Sequence, residues 1–387
     1  MRLNEALVSA RPLEEGRALA LSWADGTEAR FHSIWLRDNC QDSATRNPIN
    51  GQKRITVLDI APEIRVADAE IRDPNILAVR FAPDGHDTQF SGGWLYDNRY
   101  DRDLRRLRGA PVSWVKTWDR RLRERLPTSD WRSASGDPSA LHAWLAAIRR
   151  YGFALMTGIP VERQAIERVV ALFGFVRETN YGRCFDVRAE ITPGNLAYTG
   201  LGLQVHTDNP YRDPVPTLQL LYCLSNDAAG GDSTVVDGFR AAEILRNEAE
   251  PDLEILASHS VPFEYRGRGE VHLCATEPLI RLSPEGELTA VRFNNRSAAP
   301  FRLPYDVMAA YYSAYRRFAA ILERPELRVS FKLAPGDLFI VDNERVLHGR
   351  TAYSSAGTRH LVGCYADKDA LYSTLSILES RLGEAAE

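Results

Sequence analysis

The chain has 387 residues, more than one compact core usually holds, so one large or two unequal domains are expected. Its 44% hydrophobic and 26% charged residues are ordinary for a globular protein in water, and no apolar run approaches the ~18 residues that would suggest a membrane span. A net charge of −4 excludes a general attraction to nucleic acid or to an anionic membrane surface.

The chain starts MRLNEALVSARPLEEGRALALSW, with acidic residues and no continuous apolar core, so neither a signal nor a transit peptide is expected. Five scattered cysteines, without paired spacing, fit a reducing cytoplasm. An internal repeat follows: residues 25–39, DGTEARFHSIWLRDN, align without gaps to residues 84–98, DGHDTQFSGGWLYDN. Each Asp-Gly follows a short alternating run, which predicts a hairpin turn. Residues 1–98 are therefore expected to form a small β-rich domain built on a weak duplication. Residues 99–136 carry eleven Lys/Arg against five Asp/Glu without clean periodicity, and are read as a connector along the surface. A second domain is predicted over 137–387. It opens on a helix capped by Asp137, with Pro138 in the first turn and Leu141, Trp144, Leu145 and Ile148 as its apolar stripe. A buried strand at Phe153–Met156, a helix near 162–172, helices near 241–248 and 304–323, and strands at 331–333 and 338–341 complete the pattern. Many short strands separated by Gly/Pro/Asp turns argue for a mainly β, double-sheet jelly roll with flanking helices.

Chemistry concentrates at His206-Thr207-Asp208 and at His348, eleven residues before Arg359. Alone, His-x-Asp is a weak signal, because most histidines are structural. Side chains alternate along a strand, so His206 and Asp208 are expected on one side of it. Two imidazoles and a carboxylate can occupy one face of an octahedral metal and leave the other open, the pattern of non-haem Fe(II) oxygenases. Gly230-Gly231-Asp232-Ser233 follows at the spacing of one hairpin, and an arginine after the distal histidine suits a dicarboxylate co-substrate.

Five segments together carry a specific resemblance: WLRDN, AYTGLGLQVHTDNPYRDPVPTLQLLYC, GGDSTVVDGF, DNERVLHGRTAY and GCYADKD. They resemble the γ-butyrobetaine hydroxylase-like branch of the taurine dioxygenase-like Fe(II)/2-oxoglutarate oxygenases, over nearly the whole chain. The resemblance implies a jelly-roll catalytic domain that hydroxylates an unactivated C–H bond with Fe(II), O2 and 2-oxoglutarate, releasing succinate and CO2. Position by position, it makes His206, Asp208 and His348 the iron ligands. Arg359 would hold the 5-carboxylate of 2-oxoglutarate, with Ser233 adding a hydroxyl donor and Leu221 a backbone contact. It also implies a homodimer acting on a small molecule.

The same resemblance puts an aromatic cage for a quaternary ammonium at Tyr181, Phe185, Tyr198 and Tyr365, where π faces replace the hydrogen bonds such a cation cannot make. Asn195 and Asn295 match positions that bind a substrate carboxylate. Arg296 departs from the γ-butyrobetaine pattern, and Asn209 and Tyr211 add polar groups. The set resembles that of the 2-(trimethylamino)ethylphosphonate hydroxylases and implies a phosphonate substrate; γ-butyrobetaine, giving carnitine, is the alternative. Relatives carry Cys-x-Cys-x-x-Cys and a distant histidine that close a zinc site. Here Cys40-Gln41-Asp42-Ser43-Ala44-Thr45 keeps one cysteine and His86 one histidine, so no zinc is expected.

Overall fold

The computed structural model describes residues 6–101, 107–188, 202–267, 270–354 and 357–384. The chain divides into two compact units, Met1–Arg105 and Arg106–Glu387.

In the first unit the duplication is larger than the aligned segment. β1 (Leu7–Leu13), β2 (Ala18–Trp23) and β3 (Glu28–His32) form one three-stranded sheet and lead into α1 (Ser33–Asp38). The pattern repeats with β4 (Arg65–Asp73), β5 (Ile76–Ala82), β6 (Asp87–Ser91) and α2 (Gly92–Asp97). Each Asp-Gly lies in the β2–β3 or β5–β6 turn, where Gly26 and Gly85 take positive φ of 84° and 70°, a region glycine enters without steric cost. The repeated tryptophans Trp35 and Trp94 pack against each other at 5.6 Å between ring centroids, above a core that includes Phe31, Phe81 and Phe90. Duplicated sequence has become a shared core.

The node formed by the zinc-type positions is spent on internal hydrogen bonds. Asp42 Oδ1 accepts from the backbone N–H groups of Ala44 and Thr45, both at 3.0 Å. Asp42 Oδ2 accepts from Thr88 Oγ1 at 2.9 Å and lies 2.9 Å from His86 Nε2. Cys40 donates its thiol to the Leu36 carbonyl, and burial pushes that thiol up to about 12. Structural zinc takes four thiolate or imidazole ligands. One thiol, one imidazole and a carboxylate whose two oxygens already carry hydrogen bonds fall short of that set.

The second unit holds β7 (Thr128–Asp130), α3 (Trp131–Gly136), α4 (Pro138–Tyr151), β8 (Phe153–Thr157), α5 (Ala165–Ala171), β9 (Cys184–Val187) and β10 (Leu203–His206). Then come β11 (Leu218–Asn226), β12 (Ser233–Asp237), α6 (Gly238–Ser258), β13 (Ser260–Gly267), β14 (Val271–Pro278), β15 (Ile280–Leu282) and β16 (Leu288–Val291). The chain ends through α7 (Tyr305–Leu322), β17 (Val329–Phe331), β18 (Leu338–Asp342), β19 (Val346–Arg350), β20 (Arg359–Ala366) and α8 (Lys368–Glu384). A six-stranded sheet, β7-β8-β18-β11-β20-β9, and a four-stranded one, β10-β19-β12-β17, make the jelly roll. Period-two alternation divides each central strand between two cores. Leu218, Leu220 and Tyr222 of β11 pack with Trp144 and Leu145 of α4 and with Leu371 of α8. Leu221 and Cys223 instead meet Val235 of β12 and Val329 of β17 between the sheets. α4 has the expected signals at both ends: Asp137 accepts from Ser139 N at 2.9 Å, and Gly152 closes it at φ 68°.

Two expectations change. The segment read as a surface connector enters the fold: Thr128–Asp130 pairs in parallel with β8. Trp118, only 6% exposed, donates its indole N–H to the Tyr151 carbonyl at 2.7 Å. Its many arginines hid a few apolar anchors. The Gly230–Ser233 turn makes no hairpin within one sheet: β11 and β12 belong to different sheets, so it carries the chain from one layer to the other.

Candidate active site

The triad assembles across the edge pair of the smaller sheet. His206 on β10 stands directly opposite His348 on β19, with ring centroids 4.7 Å apart. Asp208 was expected on the same strand, but β10 ends at His206. The carboxylate is fixed instead by a polar lock. Asn343 Oδ1 accepts from Asp208 N at 2.7 Å, and its Nδ2 donates to the Asp208 carbonyl at 2.9 Å. Asn209, at φ 53°, then turns the chain away. Asp208 Oδ1 ends 3.3 Å from His206 Nε2 and 3.8 Å from His348 Nε2. His206 Nδ1 donates to the Gln204 carbonyl at 2.8 Å, which leaves its Nε2 lone pair for a metal.

Electrostatics agree with ligation. Burial pushes the His348 imidazole down to about 3, so it stays neutral and keeps a lone pair. Burial would raise the Asp208 carboxyl, yet the neighbouring His206 and His348 imidazoles and the Tyr365 hydroxyl hold it below its ordinary value. A second imidazole, that of His206, beside a neutral His348 and an anionic Asp208 makes a donor set that fits Fe(II).

A cavity of about 380 Å³ reaches His206 and Asp208. Tyr181, Phe185 and Tyr365 line it, with centroids 5.9 Å apart for Tyr181–Phe185 and 5.2 Å for Phe185–Tyr365. Gly363 makes room for this wall: a Cβ there would sit 2.4 Å from the Phe185 ring. Tyr211 also lines it, stacked at 5.0 Å on Tyr265, and its hydroxyl is 3.1 Å from that of Tyr181. Asn195 and Tyr198 lie outside the described residues.

Arg296 lines the cavity although, like Asn295, it is exposed. Desolvation lowers its guanidinium, and the Asp208 charge opposes that shift. Asn209 is 3% exposed, and neither amide atom has a partner among the described residues. Asn295 corrects the expectation: it is exposed, its Oδ1 accepts from the Tyr315 hydroxyl at 2.9 Å, and Asn294 lines the cavity in its stead. Asn294 donates from Nδ2 to the Thr207 carbonyl at 3.0 Å, whereas Asn295 opens a turn.

Ser233, Leu221 and Arg359 are all buried. Ser233 opens β12 opposite Arg350, and Leu221 on β11 faces the space between the sheets. Arg359 donates from Nε to the Gly231 carbonyl at 3.2 Å, while its buried Nη1 has no partner among the described residues. Burial lowers this guanidinium, which also lies over the Tyr353 ring at 5.5 Å, and the free Nη1 is a ready donor for a carboxylate.

Residues 119–365 match the model of the taurine catabolism dioxygenase TauD, TfdA family, and residues 11–96 match the γ-butyrobetaine hydroxylase-like N-terminal model. The chain belongs to the TauD/TfdA dioxygenase family. It is 37% identical to a γ-butyrobetaine dioxygenase of Pseudomonas sp. (strain AK-1), covering 97% of each chain. It is also 30% identical to the mitochondrial trimethyllysine dioxygenase of Mus musculus, over 93% of this chain and 85% of that one. A crystallised asparagine oxygenase complex with Fe(II) shares 19% identity at a TM-score of 0.49, over 61% of this chain and 81% of that one. As a TauD/TfdA family member with an intact triad, the protein is an Fe(II)/2-oxoglutarate-dependent dioxygenase. No helix among the described residues is long and apolar enough to cross a membrane.

Sequence reasoning missed Gln219, Tyr265, Asn294 and Asn343. Gln219 had a signal: it is the one amide among the first six residues of β11, LQLLYC, two residues before Leu221 and so on the same face. Asn343 stood in the DNERVLHGR motif but was not given a task. Tyr265 had no local signal, because β13 approaches the cavity only through tertiary packing.

Proposed function

We propose that this enzyme hydroxylates a trimethylammonium phosphonate, 2-(trimethylamino)ethylphosphonate, at the carbon next to phosphorus. The observation that carries the reading is Arg296 in the wall of the triad's cavity, beside buried Asn209 with its unpartnered amide. A phosphonate has three oxygens and up to two negative charges, and it uses more donors than a monoanionic carboxylate does. At the other end Tyr181, Phe185 and Tyr365 offer π faces to the ammonium, at roughly 0.5–2 kcal/mol each depending on desolvation.

In this reading His206, Asp208 and His348 hold Fe(II). Arg359 pairs with the distal carboxylate of 2-oxoglutarate, with Ser233 and Leu221 beside it. Bound iron supplies the oxidising chemistry, in which O2 and 2-oxoglutarate convert the substrate C–H to C–OH with release of succinate and CO2. The protein's own part is positioning. The aromatic wall fixes the ammonium and Arg296 with Asn209 fixes the acidic end, so one methylene is held toward the triad.

A second reading, γ-butyrobetaine hydroxylation to carnitine, is favoured by the 37% identity to the Pseudomonas γ-butyrobetaine dioxygenase. Arg296→Ala separates the two. The cage serves both compounds and cancels from the comparison. Charge-assisted hydrogen bonds contribute roughly 1.5–3 kcal/mol, so the variant should lose about ten- to a hundredfold in kcat/KM on the phosphonate and much less on γ-butyrobetaine. Equal losses, or none, would return γ-butyrobetaine to first place.

A further inference from the structure

We infer that Gln219 and Tyr365 are positioning residues for the iron ligand Asp208, and that Tyr365 ties the wall of the substrate cavity to the metal site. The two residues are direct cross-strand partners, Gln219 on β11 and Tyr365 on β20, so their side chains emerge side by side on the face between the sheets. Asp208 belongs to neither strand. It receives both at one atom: Gln219 Nε2 donates to Oδ2 at 2.6 Å, and the Tyr365 hydroxyl donates to the same Oδ2 at 2.8 Å. The other oxygen, Oδ1, is the one facing both histidine Nε2 atoms.

This asymmetry has a chemical use. A carboxylate with both oxygens free can swing to bind a metal through two atoms. The second would take a coordination position that a bidentate co-substrate and O2 need on the open face. Two donors on Oδ2 fix the rotation of the carboxylate and leave Oδ1 as its single ligand atom. The amide of Gln219 can be oriented only one way here, since the flipped form would set Oε1 against a carboxylate oxygen. Oε1 is accordingly left buried without a partner among the described residues. An unsatisfied acceptor in a core costs stability, and the bond to Asp208 is what that cost secures.

Tyr365 adds a second connection. Its ring lines the cavity beside Phe185 while its hydroxyl holds the ligand. On the substrate reading above, an ammonium seated on that ring presses on the side chain that orients Asp208. Seating of substrate and geometry of the iron site then share one residue.

The test uses Tyr365→Phe, which keeps the ring and removes only the hydroxyl, and Gln219→Leu, each in the full-length chain. Anaerobic Fe(II) titration without substrate is the first readout. Loss of an outer partner of a ligand usually costs roughly ten- to a hundredfold in metal affinity, and that loss is expected in each variant. The charge-transfer band of the Fe(II)–2-oxoglutarate complex should shift as well. In Tyr365→Phe the substrate KM should stay within about twofold, because the π face remains. The fraction of 2-oxoglutarate consumed without hydroxylated product should rise. Unchanged iron affinity and an unmoved band in folded Tyr365→Phe would overturn the inference, even if Gln219→Leu failed to fold. Failure of the substrate reading would look different: no trimethylammonium compound would be hydroxylated, while iron affinity would still fall in both variants.

Discussion

Among the described residues, three places gather three metal-capable side chains within 4.8 Å, and the two that include a buried ligand differ in what has become of the lone pairs. At Cys40, Asp42 and His86 both carboxylate oxygens carry hydrogen bonds and the thiol donates to a carbonyl. At His206, Asp208 and His348 the donors fall on the far side of the groups. Gln204 takes the N–H of His206, and Gln219 with Tyr365 takes Oδ2 of Asp208. Two imidazole nitrogens and one carboxylate oxygen are left converging. Proximity of ligand types does not make a metal site; unspent lone pairs aimed at one point do.

Removing one such lone pair gives the largest expected effect. His348→Ala should abolish substrate-coupled succinate release while the fold remains, since the two histidines face each other across an edge pair and neither closes the core. Succinate assays and a thermal melt of the purified variant check both halves. Near wild-type turnover would remove the contrast between the two nodes, because the converging set would then be as idle as the spent one.

A smaller effect is expected at the buried cation. Arg359→Lys keeps the charge and loses the planar fork, so 2-oxoglutarate should bind at least tenfold more weakly, about 1.4 kcal/mol. An anaerobic co-substrate titration of the Fe(II) form measures it. Unchanged affinity would move the role to another buried guanidinium, with Arg350 the first to examine.

Much of the architecture was legible because local and tertiary signals agreed. Asp137, Pro138 and Gly152 delimit α4 in sequence as in space, and the repeated Asp-Gly turns announced both hairpins. The triad was legible as a motif. Three features were not, and each depends on something outside the local window. Thr128–Asp130 became a strand because β8 was available to pair with it. Asp208 left the strand pattern because Asn343, 135 residues away, fixes its backbone. Asn294 displaced Asn295 because the Thr207 carbonyl, 87 residues away, accepts from the Asn294 amide at 3.0 Å, while Asn295 opens a turn.

The N-terminal node gives the smallest and most discriminating expectation. If its hydrogen bonds have taken over from a metal, the carboxylate matters and the thiol does not. Asp42→Ala leaves the Thr88 hydroxyl, two backbone N–H groups and His86 without their acceptor, and should destabilise the first unit by about 1–3 kcal/mol. The same contact predicts a direction with pH. Burial would raise the Asp42 carboxyl, but the hydrogen bonds from His86 and Thr88 bring it down to about 2, from an ordinary 3.8. A carboxyl with a depressed folded value contributes stability that is complete above its unfolded value and is lost as protons reach it. The contribution should therefore hold above about pH 4 and fade between 4 and 2, by on the order of 1 kcal/mol because the carboxylate is partly open to solvent screening. Cys40→Ser, and treatment with a chelator strong enough to strip zinc, should each leave the melting of the first unit almost unchanged. Denaturant unfolding followed through its clustered tryptophans reads all three. A chelator that melts the unit, or a Cys40→Ser variant as damaging as Asp42→Ala, would show a working metal ligand at the thiol and would erase the distinction between the two nodes.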